Sequence, residues 1–134
     1  MHKAVLDTNV LISALLFGGT PRKVLELVMK RRVVGVTSPA LVAELTRILK
    51  RKFAFSDEAL RSVRRRIERG FFMVTPNVDI AVLADDADNR VLEAAVAGEC
   101  EFVVTGDKAL LALVIFRTIQ ILTPARFLGE QGMS

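Results

Sequence analysis

The chain has 134 residues, 51% of them apolar, which is the usual size of one domain and enough apolar material for a buried core. Its one cysteine, Cys100, excludes an internal disulfide and points to a reducing compartment, the cytoplasm by default. The net charge of +4 hides an asymmetry: residues 21–70 carry 14 Lys/Arg against 5 Asp/Glu, and residues 71–110 carry 2 against 8. Such a split suggests a basic surface for a polyanion beside an acidic pocket for a cation. For runs such as Lys50–Lys52 and Arg64–Arg66, a solvated helix face is the plain alternative.

In chain order, Ala4–Leu6 is a short apolar run that ends in Asp7 and reads as a strand. Val10–Phe17 follows as a helix. Asp7 and Asn9 precede it where a signal peptide would carry basic residues, and Gly18, Gly19 and Pro21 stop it. No apolar run approaches the roughly 18 residues of a membrane span. Thr20-Pro21 is a helix start, and Val24, Leu27 and Val28 recur at helical spacing up to Lys30-Arg31-Arg32. Val33–Thr37 reads as a second strand, and Ser38-Pro39 opens a helix whose buried stripe is Leu41, Leu45, Ile48 and Leu49. Ser56 caps a helix running to about Arg69, with Leu60, Val63 and Ile67 as its apolar stripe. Phe71–Val74 is a third strand, closed by Thr75-Pro76. Asp88-Asn89 opens a helix through Ala97 that Gly98 terminates. Phe102–Thr105 and Ile119–Leu122 are the fourth and fifth strands. Strands and helices alternating at these lengths imply a parallel sheet covered on both faces, formed by residues 1–134 as one domain.

The acidic residues Asp7, Glu44, Asp88 and Asp107 stand at strand ends, at helix starts or beside a buried stripe. In an open parallel sheet the carboxyl ends of the strands share one edge, where such acids converge. Clustered carboxylates repel one another and stay ionised around a cation, and all-oxygen ligands suit Mg²⁺ or Mn²⁺. Each acid also has a structural explanation. Asp7, Asp88 and Asp107 suit helix capping, and Glu44 suits an exposed pair with Arg47. Asp85, Asp86 and Asp88 are three candidates for one position. Phosphate contacts are expected from Arg22, Lys23, Arg47, Lys50, Arg51 and Lys52. Phe53 and Phe55, beside that cluster, read as core or dimer packing ahead of base stacking.

Leu6-Asp7-Thr8-Asn9-Val10-Leu11, Glu44, Asp88-Asn89-Arg90-Val91-Leu92-Glu93 and Val104-Thr105-Gly106-Asp107, in this order and spacing, resemble the PIN-domain nucleases, in particular the VapC-like toxins of toxin–antitoxin systems. The resemblance spans nearly the whole chain. It implies a three-layer α/β/α sandwich around a central parallel sheet of about five strands. It also implies that Asp7, Glu44, Asp88 and Asp107 form the catalytic, metal-binding acid set for Mg²⁺ or Mn²⁺, with Asn9 and Thr105 as polar neighbours and RNA as substrate. Glu93, four residues after Asn89 on one helix face, reads either as a fifth, outer acid or as an ordinary helix glutamate. A cognate antitoxin and a second copy of the chain are the expected protein partners, placed on the helix that carries Leu60, Val63 and Ile67.

Rival readings fail on particular positions. A haloacid-dehalogenase-type phosphatase needs an Asp two residues after the first, where this chain has Asn9. A receiver domain needs a phosphoacceptor Asp ending the third strand, where Val74 is followed by Thr75-Pro76-Asn77. A PIN-like scaffold that binds RNA without cutting it does not need the intact acid set.

Overall fold

The computed structural model describes residues 1–132. Six strands form one sheet: β1 (Lys3–Leu6), β2 (Val34–Thr37), β3 (Phe71–Met73), β4 (Phe102–Val104), β5 (Ile115–Phe116) and β6 (Ile119–Leu122), in the order β3-β2-β1-β4-β6-β5. All pairings are parallel except β5 with β6. The helices are α1 (Thr8–Leu16), α2 (Gly19–Met29), α3 (Pro39–Phe53), α4 (Asp57–Gly70), α5 (Asp86–Ala97), α6 (Lys108–Leu113) and α7 (Pro124–Glu130). No helix among the described residues is long and apolar enough to cross a membrane.

Strands β1 and β4 are buried on both faces, which is why they read as unbroken apolar runs instead of alternating ones. Alternate residues feed two cores. Ala4, Leu6, Phe102 and Val104 face one core with α1, α2, α3, α4 and α7, whereas Val5, Val36 and Val103 face the other with α5. Gly35 of β2 is fixed by crowding, because a Cβ there would lie 2.5 Å from Val28 and 2.7 Å from Phe71.

Several boundaries differ from the sequence-based expectations. The expected fifth strand is β6, and the two-residue β5 folds back on it through Arg117, whose φ is 56°. Thr20 is not a cap: α2 begins at Gly19 behind Gly18, which has φ 79° and needs no side-chain bond. Asp88 does not cap α5 either. Asp85 does so, accepting the Ala87 N–H at 2.9 Å, and Asp88 lies inside the first turn. The stripe on α4 expected to meet a partner faces inward: Val63 and Ile67 are buried in the first core and Leu60 packs against it. A helix exposing that many arginines buries its apolar face against its own sheet layer. Phe55 joins the same core, while Phe53 stays exposed in edge contact with Phe17, centroids 6.3 Å apart.

The strand order reverses at β1: the chain moves from β1 to β2 and β3 on one side and returns to β4 and β6 on the other. In open α/β sheets the crevice at such a reversal, beyond the carboxyl ends of the strands, is where ligands bind. Asp7 follows β1 and Asp107 follows β4.

Candidate active site

Asp7 leaves β1 with its N–H donated to the Val104 carbonyl at 2.9 Å, so the sheet itself fixes its position. Its side chain is 4% exposed. Oδ1 accepts the Thr8 N–H at 2.8 Å at the start of α1, and Oδ2 accepts the Thr105 hydroxyl at 2.7 Å. Thr105, fully buried, also accepts the Asp107 N–H on the same oxygen at 2.9 Å. One hydroxyl therefore ties the acid after β1 to the backbone of the acid after β4. Asp107 caps α6 through Oδ1, which accepts from the Ala109 and Leu110 N–H groups at 2.9 and 3.0 Å. Capping and site-building are thus compatible, because a cap uses one carboxylate oxygen: Asp107 keeps Oδ2 without a hydrogen bond among the described residues, and Asp7 turns Oδ2 to Thr105.

Asp88 comes from the other side, on the first turn of α5. It is 7% exposed and its carboxylate has no hydrogen-bond or ion-pair partner among the described residues, whereas Asp86 is exposed and Asp85 is the cap. Of the three, Asp88 is the buried one. Glu44 borders the buried stripe of α3, half-exposed, and makes no ion pair with Arg47.

The four acids act on one another through their charges. Burial pushes the Asp88 carboxyl up from 3.8 to about 6, and the charges of Asp107, Asp85, Asp7 and Glu44 add to it. Burial also raises Asp7. The hydrogen bonds from Thr105 and Thr8 work against that rise, and Glu44 and Asp107 push in the same direction as burial. No lysine, arginine or histidine within ion-pair distance neutralises any of the four among the described residues. Thr8, beside Asp7, has a buried hydroxyl with no partner. Unpaired negative charge and an orphaned hydroxyl beyond the carboxyl end of β1 fit a bound cation with its waters.

Among the described residues no three acidic, histidine or cysteine groups close tightly enough to surround one ion directly.

The other expected residues divide. Asn9 is exposed on α1 and makes no side-chain hydrogen bond among the described residues; the residue turned inward there is Thr8. Glu93 accepts the Ile80 N–H at 2.9 Å and lies 2.9 Å from Arg90. Arg22, Lys23, Arg47, Lys50, Arg51 and Lys52 are all exposed. Arg22 is partly committed, donating Nε–H to the Ala14 carbonyl at 2.9 Å, and Lys50 lies 3.5 Å from Asp57.

Residues 3–109 match the family of the PIN domain. An uncharacterized protein of Methanocaldococcus jannaschii is 31% identical over 116 residues, covering 83% of this chain and 74% of that protein. The solved structure of VapBC-1 from nontypeable Haemophilus influenzae superposes with a TM-score of 0.63 at 15% identity, over 92% of this chain and 98% of that one. VapBC2 from Rickettsia felis, bound to a DNA fragment from its promoter, gives 0.60 at 16% identity over 89% and 96%. FitAcB from Neisseria gonorrhoeae gives 0.54 at 17% identity over 91% and 98%. At these identities the structural likenesses show a shared fold.

Proposed function

The chain belongs to the PIN domain family, and on that premise we propose that it is a metal-dependent endoribonuclease that hydrolyses RNA phosphodiester bonds as the toxin of a toxin–antitoxin pair. The observation that carries this reading is that Asp7 and Asp107, tied through Thr105, follow the two strands at the switch point of the sheet, and that Asp7, Glu44, Asp88 and Asp107 have no basic partner within ion-pair distance among the described residues. Asp7 and Asp88 would hold Mg²⁺ or Mn²⁺ directly, and Glu44 and Asp107 would hold its waters or a second ion. The chemistry such an ion supplies when bound is charge neutralisation at the phosphate and a lowered pKa for a bound water.

The chain's own groups do the rest. Thr105 holds one oxygen of Asp7 in place and, through the Asp107 N–H, sets the distance between β1 and the start of α6. Such outer hydrogen bonds fix ligand orientation before anything binds. Arg22, Lys23, Arg47, Lys50, Arg51 and Lys52 grip phosphates without reading sequence. His2, the only histidine, packs edge-on against Phe102 and bonds Gln131, so it is no proton acceptor for this site. An antitoxin partner is supported by the fold neighbours being VapBC and FitAB assemblies. A second copy of the chain completes the proposed assembly.

Induced expression in a bacterium tests this reading. Growth should slow and new RNA ends should accumulate with the wild-type chain and not with Asp7→Asn. Equal growth arrest by both, without new RNA ends, would overturn it.

A further inference from the structure

Between β3 and α5, residues 74–85 run without regular structure straight into the turn that carries Asp88. A coil of that length is expected to move unless side chains tie it down. Three side chains of α5 do so. Glu93 Oε2 accepts the Ile80 N–H at 2.9 Å, while Arg90 donates Nη2–H to the Ile80 carbonyl at 3.4 Å and places Nε 2.9 Å from Glu93 Oε1. One turn earlier, the Asn89 amide holds Leu83 from both sides. Its Oδ1 accepts the Leu83 N–H at 3.0 Å and its Nδ2 donates to the Leu83 carbonyl at 2.8 Å, the pairing a neighbouring strand would supply.

Glu93 and Asn89 are 6% and 1% exposed. Four residues apart, they share one face of α5, and Asp88 stands about 100° round the helix from Asn89. A buried carboxylate is costly unless paired and hydrogen-bonded, and Glu93 has both an arginine and a backbone N–H. Its two oxygens are taken up by Arg90 and by the coil.

We infer that Glu93, with Asn89, is a positioning residue: the two latch Ile80–Leu83 onto α5 and so hold the first turn of the helix, and with it Asp88, in place. This inference rests on the metal-binding reading of Asp88. Glu93→Gln keeps an acceptor for the Ile80 N–H and loses the charge, whereas Glu93→Ala loses both. A metal-site acid would make the two variants equally poor. The latch predicts that Gln keeps Mn²⁺ affinity within about threefold of wild type, while Ala and Asn89→Ala lose about tenfold or more. Calorimetric Mn²⁺ titration, with amide exchange at Ile80 and Leu83, reads both arms. Ile80 should stay protected in wild type and Gln and exchange freely in Ala. Equal Mn²⁺ affinity of the Gln and Ala variants, or equal Ile80 exchange in all three proteins, overturns the inference. If wild type binds no Mn²⁺, the metal reading fails and exchange alone decides: protection kept in Gln and lost in Ala upholds the latch.

Discussion

Replacing Asp88 by Asn should stabilise the metal-free protein at neutral and alkaline pH. The Asp88 carboxyl is raised from 3.8 to about 6 by burial and by its acidic neighbours. A displacement of that size corresponds to about 3 kcal/mol between the two protonation states. Because the folded value lies above the unfolded one, the protonated form favours folding. The stability is fully present below pH 3.8 and is lost as pH rises through 6. Water reaches the cluster past the half-exposed Glu44 and Asp107, which reduces the expected penalty to about 1–2 kcal/mol. Asparagine carries no charge at any of these values. Asp85 remains as the cap of α5, so the substitution leaves the helix start intact. Loss of an acid from the first turn offsets a few tenths of a kcal/mol through the helix dipole. In chelator at pH 8, Asp88→Asn should melt about 5 °C above wild type, and the gap should close by pH 4. Mg²⁺ at about ten times its dissociation constant should then stabilise wild type by about 1.4 kcal/mol and the Asn variant much less. Thermal melts of both proteins across pH, with chelator and with Mg²⁺, measure all of this. An Asn variant that melts below wild type in chelator at pH 8, or a gap that does not change with pH, would show that the Asp88 charge does not strain the metal-free fold.

Asp7→Asn and Asp88→Asn should each abolish metal-dependent RNA cleavage with the far-UV circular dichroism unchanged, and wild-type cleavage by either would remove that residue from the site. Thr105→Val should destabilise by about 2 kcal/mol, since it removes a donor to a buried carboxylate and the acceptor of the Asp107 N–H; an unchanged melting temperature would show that this hydroxyl does not hold the two acids. Neutralising Lys50, Arg51 and Lys52 together should flatten the log–log salt dependence of RNA affinity by about 2 if each contacts one phosphate of a single strand, and an unchanged slope would move the RNA path elsewhere.

Much of the layout was legible because the interior strands are buried on both faces and announce themselves as apolar runs ending in polar residues, as Ala4–Leu6 does before Asp7. What escaped lacked such a signal. The two residues of β5 have no period to detect, and α7 is a seven-residue helix whose start pair, Thr123-Pro124, precedes only two buried side chains. At α5, three aspartates in four positions offer equivalent caps. Which one turns inward is decided by the tertiary environment of the first turn. Spacing likewise placed Glu93 on the face of Asn89 correctly but could not show that Ile80 and Leu83 stand opposite that face. The α4 stripe had the right period for a buried face, and only packing shows that the surface it meets belongs to the same chain. Thr8 and Asn9 posed the same problem of phase, settled by α1 beginning at Thr8.

If the acids at the switch point hold a divalent cation for cutting RNA, purified protein incubated with a pool of structured RNAs should cleave them internally with Mn²⁺ and leave them intact in chelator, and Asp7→Asn should leave them intact in both. Cleavage that persists in chelator, or that Asp7→Asn performs as well as wild type, would show that these acids do not hold the ion that cuts.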